Sequence, residues 1–328
     1  LGINTPVNPQ RGTVDIEYTV EEKPSDQLEL SAGWGGVRGV IGTLGVSFNN
    51  FSIRNIFNKS AWRPLPQGDG QRLSIRAQTN GRFFQSYNAS FTEPWLGGKK
   101  PTSFTVSGFY NRFDFSFNTP SRLNILQGSV SLGTRLKWPD DNFVSSTAIN
   151  LQTLTLDNWS GQFTFFTDEG ETVNTGEFNN FSIQQTISRS SVSDPLFPKS
   201  GSSFSLSVKL TPPYSLFRNE NTDYAEQSPQ ERFRWLEYHK WNFNAEWYTP
   251  LVDKFVLKAE TKFGMVGAYN SDIGVSPFER FQVGGDGLNN QQFGFAGVDI
   301  VSARGYEIDD LTNNFFDGRQ VPTPIFSK

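Results

Sequence analysis

Apolar and polar residues alternate along most of the 328-residue chain, in short spans separated by turn-forming residues. In residues 203–210 every second residue is apolar, and the residues between them are serine or lysine. Alternation of this kind places one set of side chains on each face of a β-strand. Ten further spans alternate, some less regularly: 28–34, 40–49, 72–78, 86–92, 104–110, 129–137, 143–156, 181–190, 241–247 and 255–263. The pattern predicts eleven strands before residue 269.

Charged residues within these spans fall in the polar phase. A lipid-facing Arg or Lys at the centre of a membrane would cost about 2 to 4 kcal/mol, whereas a charge facing a wet lumen costs little. The phase of the charges therefore predicts one apolar outer face and one polar inner face. The residues that carry this prediction are Arg76, Glu246, Lys258, Glu260 and Lys262.

The composition narrows the fold class. Aromatic residues make up 15% of the chain, with 31 Phe and 8 Trp, yet the mean hydropathy is only −0.46. No run of apolar residues is long enough for a spanning helix, so a helical membrane protein is excluded. An all-β, transmembrane antiparallel β-barrel reconciles many aromatics with low hydropathy, because only alternate residues face lipid. A large soluble β-sandwich or propeller is the alternative.

Charge and cysteine content exclude several functions. The net charge of −4 offers no basic stripe, so we expect no nucleic-acid partner. Cysteine is absent, which excludes disulfides and Cys-ligated metal. His239 is the only histidine, and no nucleophile motif accompanies it, so we expect no catalysis, no metal and no cofactor. The glycine-rich residues 35–42 precede a strand and predict a hairpin turn, not a phosphate loop. The acidic residues 168–171 are either a solvated charge cluster or a calcium site, the former favoured.

Connections between the predicted strands alternate in length. Those at residues 93–98, 138–142, 194–201 and 250–254 are compact and rich in turn residues, while those at 157–177, 211–232 and 269–324 are long. Short turns on one side and long loops on the other are typical of outer-membrane barrels. The connection at residues 51–70 is an exception, because it is long on the short-turn side, and the pattern does not explain it.

The long connection at residues 269–324 is rich in aromatic residues and paired glycines, so we expect it to fold back and pack. It resembles the sixth extracellular loop of the Omp85 superfamily, whose signature is Arg-Gly-aromatic preceded by a Gly-Gly pair. The turn at residues 193–201 and the strand ending at 90–96 also resemble this family. The residues of the loop motif are Arg304, Gly305 and Tyr306, preceded by Gly284, Gly285 and Asp286.

The resemblance implies a domain organisation. Residues 1–24 resemble the closing strand of a periplasmic POTRA domain with its linker, and residues 14–22 are expected to form a strand without a partner. Residues 25–328 correspond to barrel strands 1 to about 12 of about sixteen, with 269–324 as the inward-folding loop. The chain begins at Leu1 without an apolar secretory segment, so we expect a piece of a longer protein.

The resemblance also implies a function, that of an outer-membrane protein insertase, integral to the outer membrane of a Gram-negative bacterium. Its partners would be nascent outer-membrane proteins, accessory lipoproteins and outer-membrane lipid. Arg304 would lie inside the barrel, paired with a carboxylate. A related translocase or autotransporter-assembly barrel is one alternative, and a passive diffusion porin is another.

The first barrel strand is the expected working edge of the insertase. Its continuation is rich in glycine, which weakens strand pairing, and a weakly paired edge is able to template an incoming strand. The alternative is that these glycines only form a tight hairpin. The residues of this predicted lateral seam are Leu28, Glu29, Leu30, Ser31, Ala32, Gly33 and Trp34.

Overall fold

The structure, a computed structural model, describes residues 2–8, 12–14, 16–19, 26–34, 39–62, 64–98, 100–116, 119–160, 164–217, 223–224, 226–252, 255–283, 299–301, 313–316 and 319–321. Almost all regular structure in these residues is β, which confirms the predicted class. One short α-helix, α1 (Pro229–Arg232), and three 3-10 helices (Arg54–Phe57, Lys59–Ala61, Tyr214–Phe217) lie in connections. No helix in the described residues is long and apolar enough to cross a membrane.

The strands follow one another in chain order. They are β1 (Gly2–Asn4), β2 (Val7–Asn8), β3 (Thr13–Val14), β4 (Glu17–Thr19), β5 (Gln27–Trp34), β6 (Val40–Phe51), β7 (Gln71–Asn80), β8 (Phe84–Glu93), β9 (Thr102–Asp114), β10 (Arg122–Arg135), β11 (Phe143–Asp157), β12 (Phe165–Phe166), β13 (Thr172–Val173), β14 (Gly176–Ser190), β15 (Gly201–Leu210), β16 (His239–Val252), β17 (Phe255–Gly267), β18 (Phe281–Val283), β19 (Asp299–Val301), β20 (Asn313–Phe316) and β21 (Arg319–Val321).

Eleven of these strands form one antiparallel sheet, in the order β5-β6-β7-β8-β9-β10-β11-β14-β15-β16-β17. Each strand pairs with its neighbours in sequence, apart from the small β12–β13 hairpin, which lies between β11 and β14. The count matches the eleven predicted strands. Within the described part of the chain, β5 and β17 each pair with one neighbour only, and they form the two edges of the sheet.

Residues that are paired across neighbouring strands point to the same face of the sheet. The alternation therefore gives the whole sheet one apolar and one polar face. Rows of apolar residues lie opposite one another on one face; one such row is Leu28, Val46, Ile75 and Ala89. The charged residues of the polar phase pair on the other face, with Arg76 on Glu29 at 2.9 Å, Lys258 on Glu246 at 2.9 Å and Lys262 on Glu260 at 2.6 Å. We call these the outer and the inner face.

The two ends of the sheet differ in their connections. At the end where the chain enters β5, which we call the entry end, lie the connections 52–70, 94–101, 136–142, 191–200 and 253–254. At the opposite end, which we call the loop end, lie 35–39, 81–83, 115–121, 158–175, 211–238 and the chain after β17. The predicted long connections are thus all at the loop end. The predicted exception at the entry end is real, and residues 52–70 are folded.

The N-terminal strand prediction was wrong in one respect. Residues 14–22 were expected to form a strand without a partner, but β4 pairs with β1 and β3 pairs with β2. The reason is that residues 2–8 are themselves extended and lie antiparallel to the segment that follows them. The assignment of residues 1–24 to a POTRA domain remains a prediction.

The inner face is not polar along its whole length. Near the loop end, inward-facing residues of β10, β11 and β14 are apolar, and side chains from the connections cover them. The buried members of this cluster are Leu123, Ile125, Leu154, Leu156, Trp159, Phe165, Val173, Phe178, Tyr224, Phe233, Leu236, Tyr238, Val266, Ile273 and Phe278. The core of the described structure therefore lies under the long connections, on the inner face of the sheet.

Candidate functional site

The chain after β17 turns back over the inner face of the sheet. Phe278 enters the apolar cluster, where its ring centroid lies 4.6 Å from that of Phe165 and 4.7 Å from that of Phe178. Phe165 belongs to the β12–β13 hairpin and Phe178 to β14, so three separate segments meet at this point. Aromatic pairs at such distances add stabilisation beyond the area that they bury. The beginning of the long connection therefore packs on the inner face of the sheet, and the inward folding of the rest of residues 269–324 remains a prediction.

The next residue, Glu279, is fully buried against the strands. Its Oε1 lies 2.6 Å from Nζ of Lys209, and its Oε2 lies 3.1 Å from Nζ of Lys240. Oε1 also accepts hydrogen bonds from the hydroxyl of Tyr238 at 2.9 Å and from Nδ2 of Asn180 at 3.1 Å. This one carboxylate thus joins the connection after β17 to three neighbouring segments of the sheet. We call these five residues the Glu279 anchor.

The register of the sheet explains why a carboxylate is needed here. Lys209 of β15 and Lys240 of β16 are directly opposite in the ladder, both on the inner face. Like charges in opposed positions destabilise a strand pair, and a buried ammonium requires a partner. Burial alone would raise the pKa of Glu279, but the two ammonium groups and the hydrogen bond from Tyr238 outweigh burial and lower it to about 2. Glu279 therefore stays ionised and neutralises the pair.

A second carboxylate, that of Asp299, also pairs with Lys240. Asp299 at the start of β19 lies 2.7 Å from Nζ of Lys240 and accepts a hydrogen bond from Nδ2 of Asn242 at 3.3 Å. Strands β18 and β19 form a short parallel pair, Phe281 being opposite Asp299. Both ends of the segment between them are therefore held at the inner face.

The acidic residues 168–171 hold connections together. Asp168 pairs with Arg280 at 2.8 Å and accepts the backbone N–H of Val275 at 2.8 Å. Glu169 pairs with the buried Arg232 of α1 at 3.0 Å. These two carboxylates are thus ion-paired and still largely exposed to solvent, which agrees with the expected solvated charge cluster. Among the residues that the structure describes, no group of three His, Cys, Asp or Glu is placed to hold a metal ion.

The predicted loop-motif residues lie outside the described residues. These are Arg304, Gly305, Tyr306, Gly284, Gly285 and Asp286. Their inward placement stays a prediction. His239 begins β16, where its Nδ1 accepts a hydrogen bond from the indole N–H of Trp241 at 3.2 Å and its ring packs on Tyr269.

The predicted seam strand is the edge strand β5. It has eight residues, fewer than any other strand of the sheet, and every residue in it is exposed. Within the described residues its only strand partner is β6, from Gln27 opposite Ser47 to Trp34 opposite Val40. The antiparallel pairing of β5 with β6 agrees with the predicted hairpin, while residues 35–38 of its turn lie outside the described residues.

Sequence reasoning missed the Glu279 anchor. The alternation placed Lys209 in the polar phase, but it did not indicate a partner for it. A weak signal was present, since Glu279 and Arg280 lie between Phe278 and Phe281 in a connection that is predicted to pack. A carboxylate that becomes buried when such a segment packs needs cations nearby.

An antiparallel sheet with an apolar outer face, a charged inner face and a long connection folded onto that inner face defines the class of outer-membrane β-barrel folds. Within that class the chain belongs to the Omp85 superfamily, because the Omp85 superfamily domain matches residues 67–321. This confirms the family that the motifs indicated.

Two relatives are similar over most of the chain. The outer membrane protein assembly factor BamA of Neisseria meningitidis serogroup B is 22% identical over 316 residues, which are 93% of this chain and 33% of that protein. The crystal structure of BamA from Haemophilus ducreyi lacking POTRA domains 1–3 superposes with a TM-score of 0.52 at 18% identity, covering 87% of this chain and 49% of that one. The second likeness shows a shared fold. The chain spans a third of the first relative and half of the second.

Proposed function

We propose that the protein is an outer-membrane protein insertase, which folds client β-barrel proteins and inserts them through a lateral seam beside β5. Family membership and the name of the Neisseria relative, an assembly factor, support a role in barrel assembly or translocation. The observation that carries the insertase proposal is the edge strand β5, short and with a single strand partner in the described residues.

The chemistry of such a seam is main-chain hydrogen bonding. An edge strand presents N–H and C=O groups on its free side, and an extended client segment pairs with them as an added strand. In lipid each unpaired backbone group costs several kcal/mol, of the order of a lost hydrogen bond, so pairing with the edge is strongly favoured there. No covalent bond is made or broken, and the proposal includes no cofactor.

The proposal carries a location and partners with it. The protein is integral to the outer membrane of a Gram-negative bacterium, its clients are nascent outer-membrane proteins, and accessory lipoproteins assist it. Residues 1–24 then connect to periplasmic POTRA modules, and the entry end of the sheet faces the periplasm. Arg304 belongs inside the barrel, downstream of the Glu279 anchor.

The seam is tested by locking it in the full-length protein. Glu29→Cys or Ser31→Cys is combined with a cysteine opposite it on the last barrel strand, and client insertion into vesicles is measured before and after oxidation. We expect oxidation to stop insertion and reduction to restore it, because the locked edge has no free backbone groups.

The matched control locks the other side of the same strand. Ser31 lies opposite Thr43 in the β5–β6 register, so Ser31→Cys with Thr43→Cys ties β5 to β6. The side of β5 that faces away from β6 stays free to pair with a client strand. This variant is expected to insert clients after oxidation. Full insertion by the seam-locked protein, with the crosslink demonstrated, would contradict the proposal and favour a translocase or a channel that works through the lumen.

A further inference from the structure

Residues 52–70, the connection between β6 and β7, form a folded unit at the entry end, and we call it the β6–β7 insert. Some of its polar side chains bond to one another within the insert. Ser52 is fully buried, its hydroxyl donates to Asp69 at 2.6 Å, and its oxygen accepts the N–H of Asn55 at 3.1 Å. The side chain of Asn55 donates to the carbonyl of Gln67 at 2.9 Å. The insert is thus held by its own polar contacts.

The apolar side chains of the insert point outward. Phe57 is 96% exposed, and Ile53, Ile56 and Trp62 are also exposed. The indole N–H of Trp62 donates to the carbonyl of Ile56 at 3.2 Å, so the polar atom of that ring is already satisfied within the insert. A water-facing loop is normally arranged the other way, with polar groups outside. A group of exposed apolar side chains in one connection is typical of a site that meets an apolar or interfacial surrounding.

The charges of the insert identify the surrounding. Residues 52–70 contain three cationic residues, Arg54, Lys59 and Arg63, and one acidic residue, Asp69, which accepts the hydrogen bond from Ser52. In the structure, Arg54 is exposed in the 3-10 helix that also carries Ile56 and Phe57, and Lys59 is exposed in the 3-10 helix that follows it. Cations beside aromatic and aliphatic side chains match the boundary where lipid phosphates meet acyl chains. A purely apolar partner would leave these cations without counter-charges.

The position of the insert is continuous with the outer face of the sheet. Phe48 of β6 and Leu73 of β7 are opposite one another in the apolar row next to the insert. Exposed aromatic residues recur in other connections at the same end, among them Trp95 and Trp138. Trp is enriched where barrels meet the membrane surface. The insert therefore lies at the same end of the sheet as these aromatic residues, and it joins β6 and β7, the two strands nearest to β5.

We propose that the β6–β7 insert is a lipid-binding foot, which seats Ile53, Ile56, Phe57 and Trp62 in the interface of the near leaflet and places Arg54 and Lys59 on anionic phospholipid headgroups. This inference rests on the membrane placement included in the proposed function, but not on client insertion. The foot fixes the depth of the entry end in the bilayer next to the predicted seam.

The test uses the full-length protein in vesicles of phosphatidylcholine and phosphatidylglycerol. Phe57→Cys is labelled with a small fluorophore, and quenching is measured with phospholipids that carry a spin label just below the headgroup. Asp141→Cys, an exposed polar position in the turn between β10 and β11 at the same end, is the matched control. We expect several-fold stronger lipid quenching at position 57 than at position 141, and protection of position 57 from iodide.

Two further measurements separate the outcomes. Leu206→Cys, on the outer face, reports whether the sheet itself is in lipid; quenching there without quenching at position 57 would overturn the foot and leave the membrane placement intact. Protection of position 57 from both lipid and iodide would mean that another part of the protein covers it, which also overturns the proposal. Arg54→Gln with Lys59→Gln is expected to reduce quenching at position 57 when phosphatidylglycerol is present, and to change it little in phosphatidylcholine alone.

Discussion

Glu279 carries a negative charge to a place where two neighbouring strands present ammonium groups opposite each other. Removing one partner of a buried ion pair is more damaging than replacing the whole pair, because the remaining charge stays buried without compensation. Two cations depend on this one carboxylate, although Asp299 also contacts Lys240. Glu279 is therefore a main contact between the connection and the inner face, in addition to the packing of Phe278 and the Asp168–Arg280 pair.

We expect Glu279→Gln to release the segment around residue 279 while the sheet stays folded. Loss of the buried charge costs about 3 to 5 kcal/mol locally, since the lysines lose their counter-charge. Hydrogen exchange of residues 273–281 in the intact protein measures the release. Glu29→Gln is the matched control, because both members of the Glu29–Arg76 pair are half exposed and such pairs contribute about 1 kcal/mol or less. Equal protection in wild type and Glu279→Gln would contradict the anchor.

The same residue gives the docked segment a dependence on acid. The pKa of Glu279 is lowered from 4.5 to about 2 in the folded protein. A lowered carboxyl pKa stabilises the docked state above the ordinary pKa, and this contribution is lost as the pH falls from there towards the folded value. Protection of the segment is therefore expected to decline between about pH 4.5 and pH 2, and Glu279→Gln is expected to remove that part of the decline.

The sequence pattern indicated one half of this site, namely the face of the sheet on which the two lysines lie. The alternation gives the phase of Lys209 and Lys240, because phase is a local property of a strand. The partner lies 70 residues from Lys209 and 39 residues from Lys240, and no local pattern indicates which residue of a long connection will return to a given point on the wall. The aromatic neighbours of Glu279 indicated that this segment would pack, but nothing in the sequence indicated which residues of the sheet Glu279 would contact.

At the scale of strands, the sheet is built from a two-residue repeat that continues across eleven strands in register. Leu206 of β15 is flanked by Ile187 of β14 and Phe243 of β16, all on the outer face. Its neighbour Ser205 is flanked by Ser188 and Asn244 on the inner face. Adjacent residues of one strand therefore meet opposite surroundings.

We expect Leu206→Arg to impair membrane assembly and Ser205→Arg to be tolerated. An Arg on the lipid face costs about 2 to 4 kcal/mol near the midplane, while a lumen-facing Arg stays hydrated. The folded fraction in isolated membranes, measured by the mobility difference between heated and unheated protein, gives the answer for both variants. Equal damage from the two substitutions would indicate a sheet whose faces meet similar surroundings, and the membrane placement would then be wrong.

The strands were predictable because the alternation is strong wherever one face is apolar and the other polar. It is less regular in β11, where the apolar positions change from the outer face at Ile149 to the inner face at Leu154 and Leu156, which belong to the buried cluster. The small β12–β13 hairpin was not predicted either, since two-residue strands are too short to show a period. The connection at residues 81–83 is short although it lies on the long-loop side, which shows that connection length alone does not assign an end.

The whole molecule is asymmetric from end to end. The loop end has its inner face filled by apolar side chains and tied by Glu279, Asp168 and Glu169, whereas the entry end presents the insert and exposed aromatic turns. The fold class and the family followed from the sequence, since they depend on the repeat and on short motifs. The filling of the inner face did not, because it depends on connections that meet only in three dimensions.

If the connection after β17 continues inward from its anchor, Arg304 is expected to be out of reach from the loop end. Arg304→Cys in the full-length protein in intact cells should react slowly with a membrane-impermeant thiol reagent, because the barrel wall shields it. Phe217→Cys is the matched control, since Phe217 is 82% exposed in the β15–β16 connection at the same end. Rapid labelling of both positions would contradict the inward path.

The Glu279 anchor also has a consequence for the order in which the chain folds. Its partners lie 39 to 99 residues away in sequence and belong to β14, β15, the start of β16 and, for Tyr238, the connection that leads into β16. Hairpins such as β7–β8, joined by three residues, close a small loop and lose little entropy, whereas contacts over long separations form late. The receptor for Glu279 does not exist until those strands have paired. We therefore expect the segment around Glu279 to dock late in folding. Its protection from hydrogen exchange then indicates that this half of the sheet has already formed.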